Sequence, residues 1–270
     1  MSPSPASLPT DCDVTLRGRV AEVFRSWQGE GALLGRRMVF VRLAGCTVDC
    51  RYCDTAWAFE TPATVARPTG GAQPLPNPLS VADVVALVDA ADPADTPGGP
   101  APVALTGGEP CEQAEFALAL IAALAPRDVL LETSALHADA LGRLAPRCRW
   151  IAADCKLPAA TGQPDVLARH ATVLESGVLT GLRAPPDGQG PRLFFKLIVD
   201  GDTPDAELHE AAELLARHAP DAPVFVQPVT PLGGSPALPR QRFDAVVDAL
   251  IAAGLSVRLI PQMHKRLGVR

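Results

Sequence analysis

The chain has 270 residues with a formal charge of −6, 47% hydrophobic and 20% charged residues. That is ample length for a packed core, and too apolar for a disordered chain. Mild acidity argues against bulk binding to nucleic acid or an anionic membrane, which needs clustered cations, but leaves room for a small anionic substrate held by one or two arginines. No apolar run is long enough to span a bilayer, and residues 1–13 lack the basic and apolar regions of a signal peptide. The first 13 residues therefore read as a flexible leader, 14–270 as a single domain, and the location as cytoplasmic.

In chain order, Val14 to Phe24 and Met38 to Leu43 read as strands, and Val81 to Ala90 as a helix with Ser80 as N-cap. Val103 to Leu105 reads as a short buried strand closed by Thr106-Gly107-Gly108. Gln113 to Leu124 is helical, Val129 to Leu131 a strand, Ala138 to Leu144 a helix and Trp150 to Ala153 a strand. Leu193 to Val199, Val224 to Val226 and Ser256 to Ile260 follow as strands. Helices at Asp205 to His218 and Arg240 to Ala252 separate these last three. Repeated β-then-α units imply an α/β fold with a mainly parallel sheet, open or barrel-like, whose ligands collect at the carboxyl ends of the strands. Two proline-rich stretches, 61–80 and 92–102, read as surface insertions.

Seven cysteines fall at 12, 46, 50, 53, 111, 148 and 155. An odd number with three crowded together is not a secreted disulfide framework. Cys12, Cys111, Cys148 and Cys155 read as small apolar fillers. Cys46, Cys50 and Cys53 have C-x3-C-x2-C spacing and can hold three corners of a [4Fe–4S] cluster, leaving the fourth iron open. Buried reduced thiols and a zinc site are the alternatives. Interleaved Asp49, Arg51 and Asp54 weigh against the first, and the lack of a fourth ligand nearby weighs against the second. Arginine outnumbers lysine 21 to 3, so Lys156, Lys196 and Lys265 draw attention; for Lys196 the expectation is a partly buried ion pair.

The cysteine loop, with Tyr52 before its last cysteine and Thr106-Gly107-Gly108-Glu109-Pro110 downstream, resembles the radical S-adenosylmethionine (SAM) enzymes. Further motifs narrow the resemblance. These are Phe24-Arg25-Ser26-Trp27-Gln28-Gly29-Glu30-Gly31, Arg42-Leu43-Ala44-Gly45-Cys46, Cys53-Asp54-Thr55, Glu132-Thr133-Ser134 and Gln262-Met263-His264-Lys265. As a set they are similar to the 7-carboxy-7-deazaguanine synthases of deazapurine and queuosine biosynthesis. The resemblance implies a partial (β/α) barrel, a [4Fe–4S] cluster, SAM and Mg2+. The implied reaction is a ring-contracting lyase step on a carboxylated tetrahydropterin with loss of ammonia. It implies a flavodoxin or ferredoxin electron donor and a homodimer, with no nucleic acid and no membrane.

Residue by residue, the resemblance makes Cys46, Cys50 and Cys53 the cluster ligands and Thr55 the Mg2+ ligand. Substrate contacts are implied for Trp27, Gln28, Gly29, Glu30, Arg42, Thr106 and His264, and for Arg270 through its main chain. SAM contacts are implied for Tyr52, Asp54, Gly108, Glu109, Ser134, Asp154, Cys155, Lys156, Gln227 and Thr230. Asp154-Cys155-Lys156 stands where the family often carries Ser-Pro-Lys. No catalytic side chain is implied beyond the cluster and SAM. A radical SAM enzyme acting on a protein or peptide is the competing reading; it predicts a longer open groove and gives no role to the Q-G-E-G and H-K motifs.

Overall fold

The computed structural model describes residues 13–70, 73–93, 96, 98–182, 192–230 and 237–269. Short β1 (Arg17–Gly18) and β2 (Val20–Trp27) lead to β3 (Arg37–Leu43). Then come β4 (Thr64–Val65), β5 (Leu75–Pro76), β6 (Leu79–Ser80) and α1 (Val81–Ala91). The alternation continues through β7 (Val103–Thr106), α2 (Ala114–Ala123), β8 (Val129–Thr133), α3 (Ala138–Leu144) and β9 (Trp150–Cys155). Two helices, α4 (Pro158–Thr161) and α5 (Val166–Glu175), precede β10 (Leu193–Val199). Last come α6 (Asp205–His218), β11 (Val224–Pro228), α7 (Phe243–Ala252), β12 (Val257–Leu259) and α8 (Met263–Leu267).

Strand β10 is buried at every position, so both faces of the sheet it joins are covered. That sheet has eight strands in the order β12-β11-β10-β9-β8-β7-β3-β2. All neighbours are parallel except β2, which runs antiparallel along β3. The expected mainly parallel sheet is present, and its edge strands β2 and β12 do not pair with each other, so it stays open.

Side chains alternate between the two faces along each strand. On the outer face Val41, Leu105, Leu131, Ile151, Leu197 and Val226 share a core with helix residues such as Leu87, Leu120, Leu141, Leu215 and Leu250. On the inner face Phe24, Met38, Phe40, Ala104, Leu130, Trp150, Ala152, Phe194 and Phe225 form a second core. Phe24 stacks on Phe40 at 5.1 Å, and Phe194 meets Phe225 edge-on at 5.5 Å. Two residues further along the same strands, the inner face turns polar. Phe40 is followed by Arg42, Ala104 by Thr106, Leu130 by Glu132, Ala152 by Asp154, Phe194 by Lys196 and Phe225 by Gln227. The sheet thus has an apolar floor and a polar rim at the carboxyl ends of its strands.

The first insertion is not a plain surface loop. β4 and β5 form an antiparallel pair, β6 pairs with β1, and Val65 and Leu79 are fully buried. The Asn77 amide donates to Val20 O at 2.7 Å and Pro62 O at 2.8 Å, tying the insertion to β2. Ser80 caps α1 as expected, in a reciprocal capping box with Asp83. The second insertion begins at Asp92, whose side chain is completely buried against Arg127. Other differences are local. The expected Val14 to Phe24 strand splits at Arg19, and its second part runs on to Trp27. The helices expected from Gln113 and Arg240 open as 3-10 turns, Pro110–Gln113 and Arg240–Arg242. Helices α4, α5 and α8 were not expected. No helix among the described residues is long and apolar enough to cross a membrane.

Asp92 Oδ2 accepts from Arg127 Nη1 at 2.9 Å and from Ala101 N at 2.7 Å. Removing one partner of a buried pair strands the other charge. Arg127→Met is expected to lower unfolding stability by about 3 kcal/mol, measured by urea titration. An unchanged midpoint would mean that the pair is solvated in solution.

Candidate active site

A cleft lies over the polar rim of the sheet, about 1170 Å3 when the open solvent at its mouth is included. The cysteine loop forms part of its lining. Gly45 at φ +92° and Asp49 at φ +50° put two left-handed residues into this segment, which curls the chain tightly after β3. The loop is held from several directions. Val48 packs with Leu136 and Val166, and Cys46 and Cys50 lie against that cluster. Gln163 Nε2 donates to Val48 O at 2.9 Å, and Thr47 donates its N–H and hydroxyl to Glu112 Oε1. Arg51 donates its amide to Ala160 O at 2.9 Å and its guanidinium to Asp200 at 2.8 Å.

Cys46, Cys50 and Cys53 are unpaired, half-buried and line the cleft. Burial pushes the Cys46 thiol up to about 11 and raises Cys50 as well. These thiols therefore stay neutral until a cation compensates the thiolate charge. Among the described residues, no three thiol, imidazole or carboxylate groups converge as the ligands of a single ion would. Three thiols that line one cleft suit a cluster, whose ligands sit on separate irons. Thr55 precedes the 3-10 turn Ala56–Phe59, but its side chain makes no capping bond. Its hydroxyl lies 3.7 Å from Cys53 Sγ.

The ends of β7 and β8 converge on Glu109, which is 1% exposed. Its carboxylate accepts from Cys111 N at 3.0 Å, Thr133 Oγ1 at 2.7 Å and Ser134 N at 2.6 Å. Gly108 brings this turn onto the cysteine loop, since a Cβ there would lie 2.0 Å from Gly45 O. Gly107, at φ +76°, lies under Arg42, and a Cβ there would sit 1.8 Å from Arg42 Cγ.

The centre of the rim is ionic. Lys196 Nζ lies 3.0 Å from Glu30, 3.2 Å from Asp154 and 3.8 Å from Glu132. Lys156 Nζ lies 2.7 Å from the other oxygen of Asp154 and 5.4 Å above the Tyr52 ring. Burial works against the charge on both lysines, but the carboxylates outweigh it, Asp154 foremost, and raise both well above the usual range. The same lysines hold buried Asp154 ionised, and Lys196 does so for Glu30. Glu132 also accepts from Gln28 Nε2 at 2.7 Å and Thr106 Oγ1 at 3.1 Å. Arg42 Nε donates to Glu22 at 2.9 Å.

The segment after β2 crosses the open sheet. Leu33 enters the inner-face core, and a Cβ at Gly31 would strike the Phe194 ring at 2.3 Å. Glu30 Oε1 accepts from Gln227 at 3.0 Å and Gln262 at 3.1 Å. Met263 N donates to Gly29 O at 3.0 Å, and the His264 ring fills the space where Gly29 lacks a side chain. Asp54 Oδ2 lies 3.1 Å from Lys265 Nζ and 3.7 Å from His264 Nε2. Burial opposes the Asp54 charge, yet the neighbouring His264 imidazole and the charge of Lys265 hold its carboxyl well below the usual range. The beginning and the end of the chain thus meet over the cleft and span the gap between the edge strands.

Trp27, Gln28, Gly29, Glu30, Arg42, Thr106 and His264 all line this cleft, as do Tyr52, Asp54, Gly108, Glu109, Ser134, Asp154, Lys156 and Gln227. Cys155 does not: strand alternation turns its side chain into the outer-face core, where it is 1% exposed. Thr230 does not line it either, and its amide donates to Gln262 Oε1 at 3.3 Å. Arg270 and Cys12 lie outside the described residues. Cys111 and Cys148 are buried fillers, as expected. Lys196 forms the expected ion pair, but within the cleft rather than at a structural position. Glu132, Lys196 and Gln262 are site residues that sequence reasoning left without a role. Their signal was a charged or amide side chain inside an otherwise apolar strand, or one flanking a motif. Ser134 Oγ, Gln227 Oε1 and Tyr52 OH are buried without a hydrogen-bond partner and line the cleft. Orphaned polar atoms around a cleft fit a polar ligand such as SAM.

No family model matches the chain. In fold it is similar to QueE from Escherichia coli, with TM-score 0.57 and 22% identity over 90% of this chain and 93% of that one. It is also similar to a radical SAM methyltransferase from Sphaerobacter thermophilus, with TM-score 0.54 and 18% identity over 84% of this chain and 70% of that one. These likenesses show a fold that this chain shares with a radical SAM methyltransferase and with QueE. In sequence it is 33% identical to the 7-carboxy-7-deazaguanine synthase of Geobacter sulfurreducens, over 92% of this chain and 96% of the relative. It is 41% identical to that of Methanopyrus kandleri, over 91% and 92%. The chain belongs to the 7-carboxy-7-deazaguanine synthase family.

Gly29→Ala would drive a methyl group into the His264 ring, 2.3 Å away. The segment from Gln262 onward is expected to release from Gly29, with faster trypsin cleavage at Lys265 and Arg266. An unchanged cleavage pattern would show that the segment is held elsewhere.

Proposed function

We propose that this chain converts 6-carboxy-5,6,7,8-tetrahydropterin to 7-carboxy-7-deazaguanine with loss of ammonia, in 7-deazapurine (queuosine-type) biosynthesis. One observation carries the substrate reading. The Q-G-E-G segment, the cysteine loop and the Gln262–Lys265 segment, far apart in sequence, line one cleft. That cleft is bridged by Glu30 to Gln227 and Gln262. A bridged cleft suits a small ring system better than a peptide, which needs an open groove.

Cys46, Cys50 and Cys53 would hold the cluster, and bound there with SAM it supplies the carbon radical that takes hydrogen from the pterin. Tyr52, Asp54, Gly108, Glu109, Ser134, Asp154, Lys156 and Gln227 would surround SAM. Glu109, locked by three donors, offers a fixed negative charge to the methionine ammonium. Trp27, Gln28, Gly29, Glu30, Thr106 and His264 would hold the pterin. Amide and carboxylate side chains match the donor and acceptor edge of a pterin ring. Arg42 spends Nε on Glu22, which leaves its Nη pair for the substrate carboxylate. The Thr55 hydroxyl, free of capping duty, is a hard oxygen ligand for Mg2+. The rim keeps its charges paired within the protein, so the substrate displaces water rather than ions, and exclusion of water protects a reactive radical. The proposed physiological assembly is a cytoplasmic homodimer reduced by flavodoxin or ferredoxin, with residues 14–270 as one domain.

The test is anaerobic reconstitution with iron and sulfide, followed by dithionite, SAM, Mg2+ and the carboxypterin. A deazapurine chromophore is expected, and its absence from cluster-loaded protein would overturn the reading. Cys50→Ala is expected to abolish turnover. Arg42→Ala is expected to raise the KM for the pterin by roughly tenfold to a hundredfold, since a hydrogen bond to a charged group is lost; a change confined to the KM for SAM would reassign Arg42. Thr55→Ala is expected to flatten the dependence of rate on Mg2+ concentration, and an unaltered dependence would remove Thr55 as a ligand.

A further inference from the structure

Behind the cleft, helix α5 carries a histidine on its apolar stripe. Its buried positions are Val166, Leu167, His170, Val173 and Leu174, and His170 is 3% exposed. The cleft is lined by neither His170 nor any other α5 residue, yet the helix reaches three of the segments that build it. Val166 packs on Val48 of the cysteine loop and on Leu136 beyond β8. His170 Nε2 accepts the amide of Lys156 at 2.8 Å. The main chain of Ala135 borders the same ring and favours its charged form.

These two contacts sit on the strand ends that carry Ser134 and Asp154. Ala135 has a left-handed backbone, φ +53°, which a non-glycine residue adopts only when its surroundings fix it. Its own amide donates to Thr133 Oγ1 at 3.1 Å, and Thr133 donates to Glu109 at 2.7 Å. Helix α5 therefore bears on both strand ends: His170 holds the main chain of Lys156, and Val166 packs on Leu136, next to the chain that runs from Ala135 through Thr133 to Glu109. An imidazole accepts an amide at Nε2 only while that nitrogen is unprotonated, so the ring is neutral with its proton on Nδ1. Burial, reinforced by the charge of Lys156, pushes His170 down to about 3, against an opposing effect of Asp154; Arg169 acts in the same sense as Lys156. The ring is neutral throughout the physiological range.

We propose that His170 is a positioning residue, holding the β8 and β9 strand ends at a fixed spacing from behind so that Ser134, Glu109 and the 154–156 segment are set for SAM. It rests on the reading of that wall as the SAM side of the site. It touches neither SAM nor substrate.

The test compares His170→Met, which keeps bulk without an acceptor, with His170→Gln, whose amide offers one acceptor and one donor. SAM binding to anaerobically cluster-loaded protein is measured by calorimetry, and the KM for the pterin at saturating SAM by turnover. His170→Met is expected to weaken SAM binding roughly tenfold, the loss from one unsatisfied buried amide. The pterin KM is expected to move by less than about twofold. His170→Gln is expected to restore SAM affinity to within about threefold of the parent. Equal SAM affinity in parent, Met and Gln forms overturns the proposal, as does an equal weakening of SAM and pterin. A parent that binds no SAM overturns the proposed function itself, and this inference with it. Should the Met form fail to fold, 15N shifts of the parent imidazole decide. A neutral, Nδ1-protonated ring from about pH 6 to 9 supports the clamp, and a ring that titrates in that range overturns it.

Discussion

Everything at the rim depends on one rule: a charge removed from water must meet its opposite. Lys196 answers it for three carboxylates at once, within 3.0 to 3.8 Å. Those carboxylates come from the segment after β2, from β8 and from β9. The ammonium therefore ties three neighbouring strands of the sheet, already joined by their ladders, to the Glu30 segment, which lies outside those ladders. It sits where the inner face of the sheet changes from Phe and Leu to Arg, Glu, Asp and Lys. Below that line the strands are held by packing, and above it by ion pairs and amides. The apolar floor excludes water from beneath, which strengthens each polar contact above.

Much of this was legible in the sequence because strand and helix periods differ. The runs at Leu193–Val199 and Val129–Leu131 announced strands, and Thr-Gly-Gly-Glu after Val103–Leu105 announced a ligand-facing turn. Helix Asp205–His218 matched its expected bounds. The cysteine spacing was informative for a chemical reason: thiols so close in sequence, with no fourth partner, have few other uses. Helix α5 was hidden because its apolar stripe is interrupted by His170, which a hydropathy pattern counts as surface. The insertion at 61–80 looked structureless because its order comes from Asn77 bonding to Val20 and Pro62, partners that no local pattern reveals. Cys155 was placed at the ligand by motif alignment, whereas the two-residue alternation of β9 already assigned it to the opposite face from Asp154 and Lys156.

The rest was illegible because it is tertiary. Nothing near Glu30 marks Gln227 and Gln262 as its donors, and nothing near Asp54 marks Lys265. These contacts connect the first strand of the sheet to the segment after the last. They give a half-open sheet a bounded interior, which a short helix and a few amides supply in place of further strands.

That bridge also imposes an order in time. Synthesis proceeds from the amino end, so the loop of thiols, the glycine turn and the ionic rim can all assemble before residue 262 has been made. Only when the final stretch emerges does Gly29 receive Met263 and Asp54 receive Lys265. A nascent chain at that stage has a floor and a rim but lacks one wall. Competence to enclose a guest is thus the last property this polypeptide acquires.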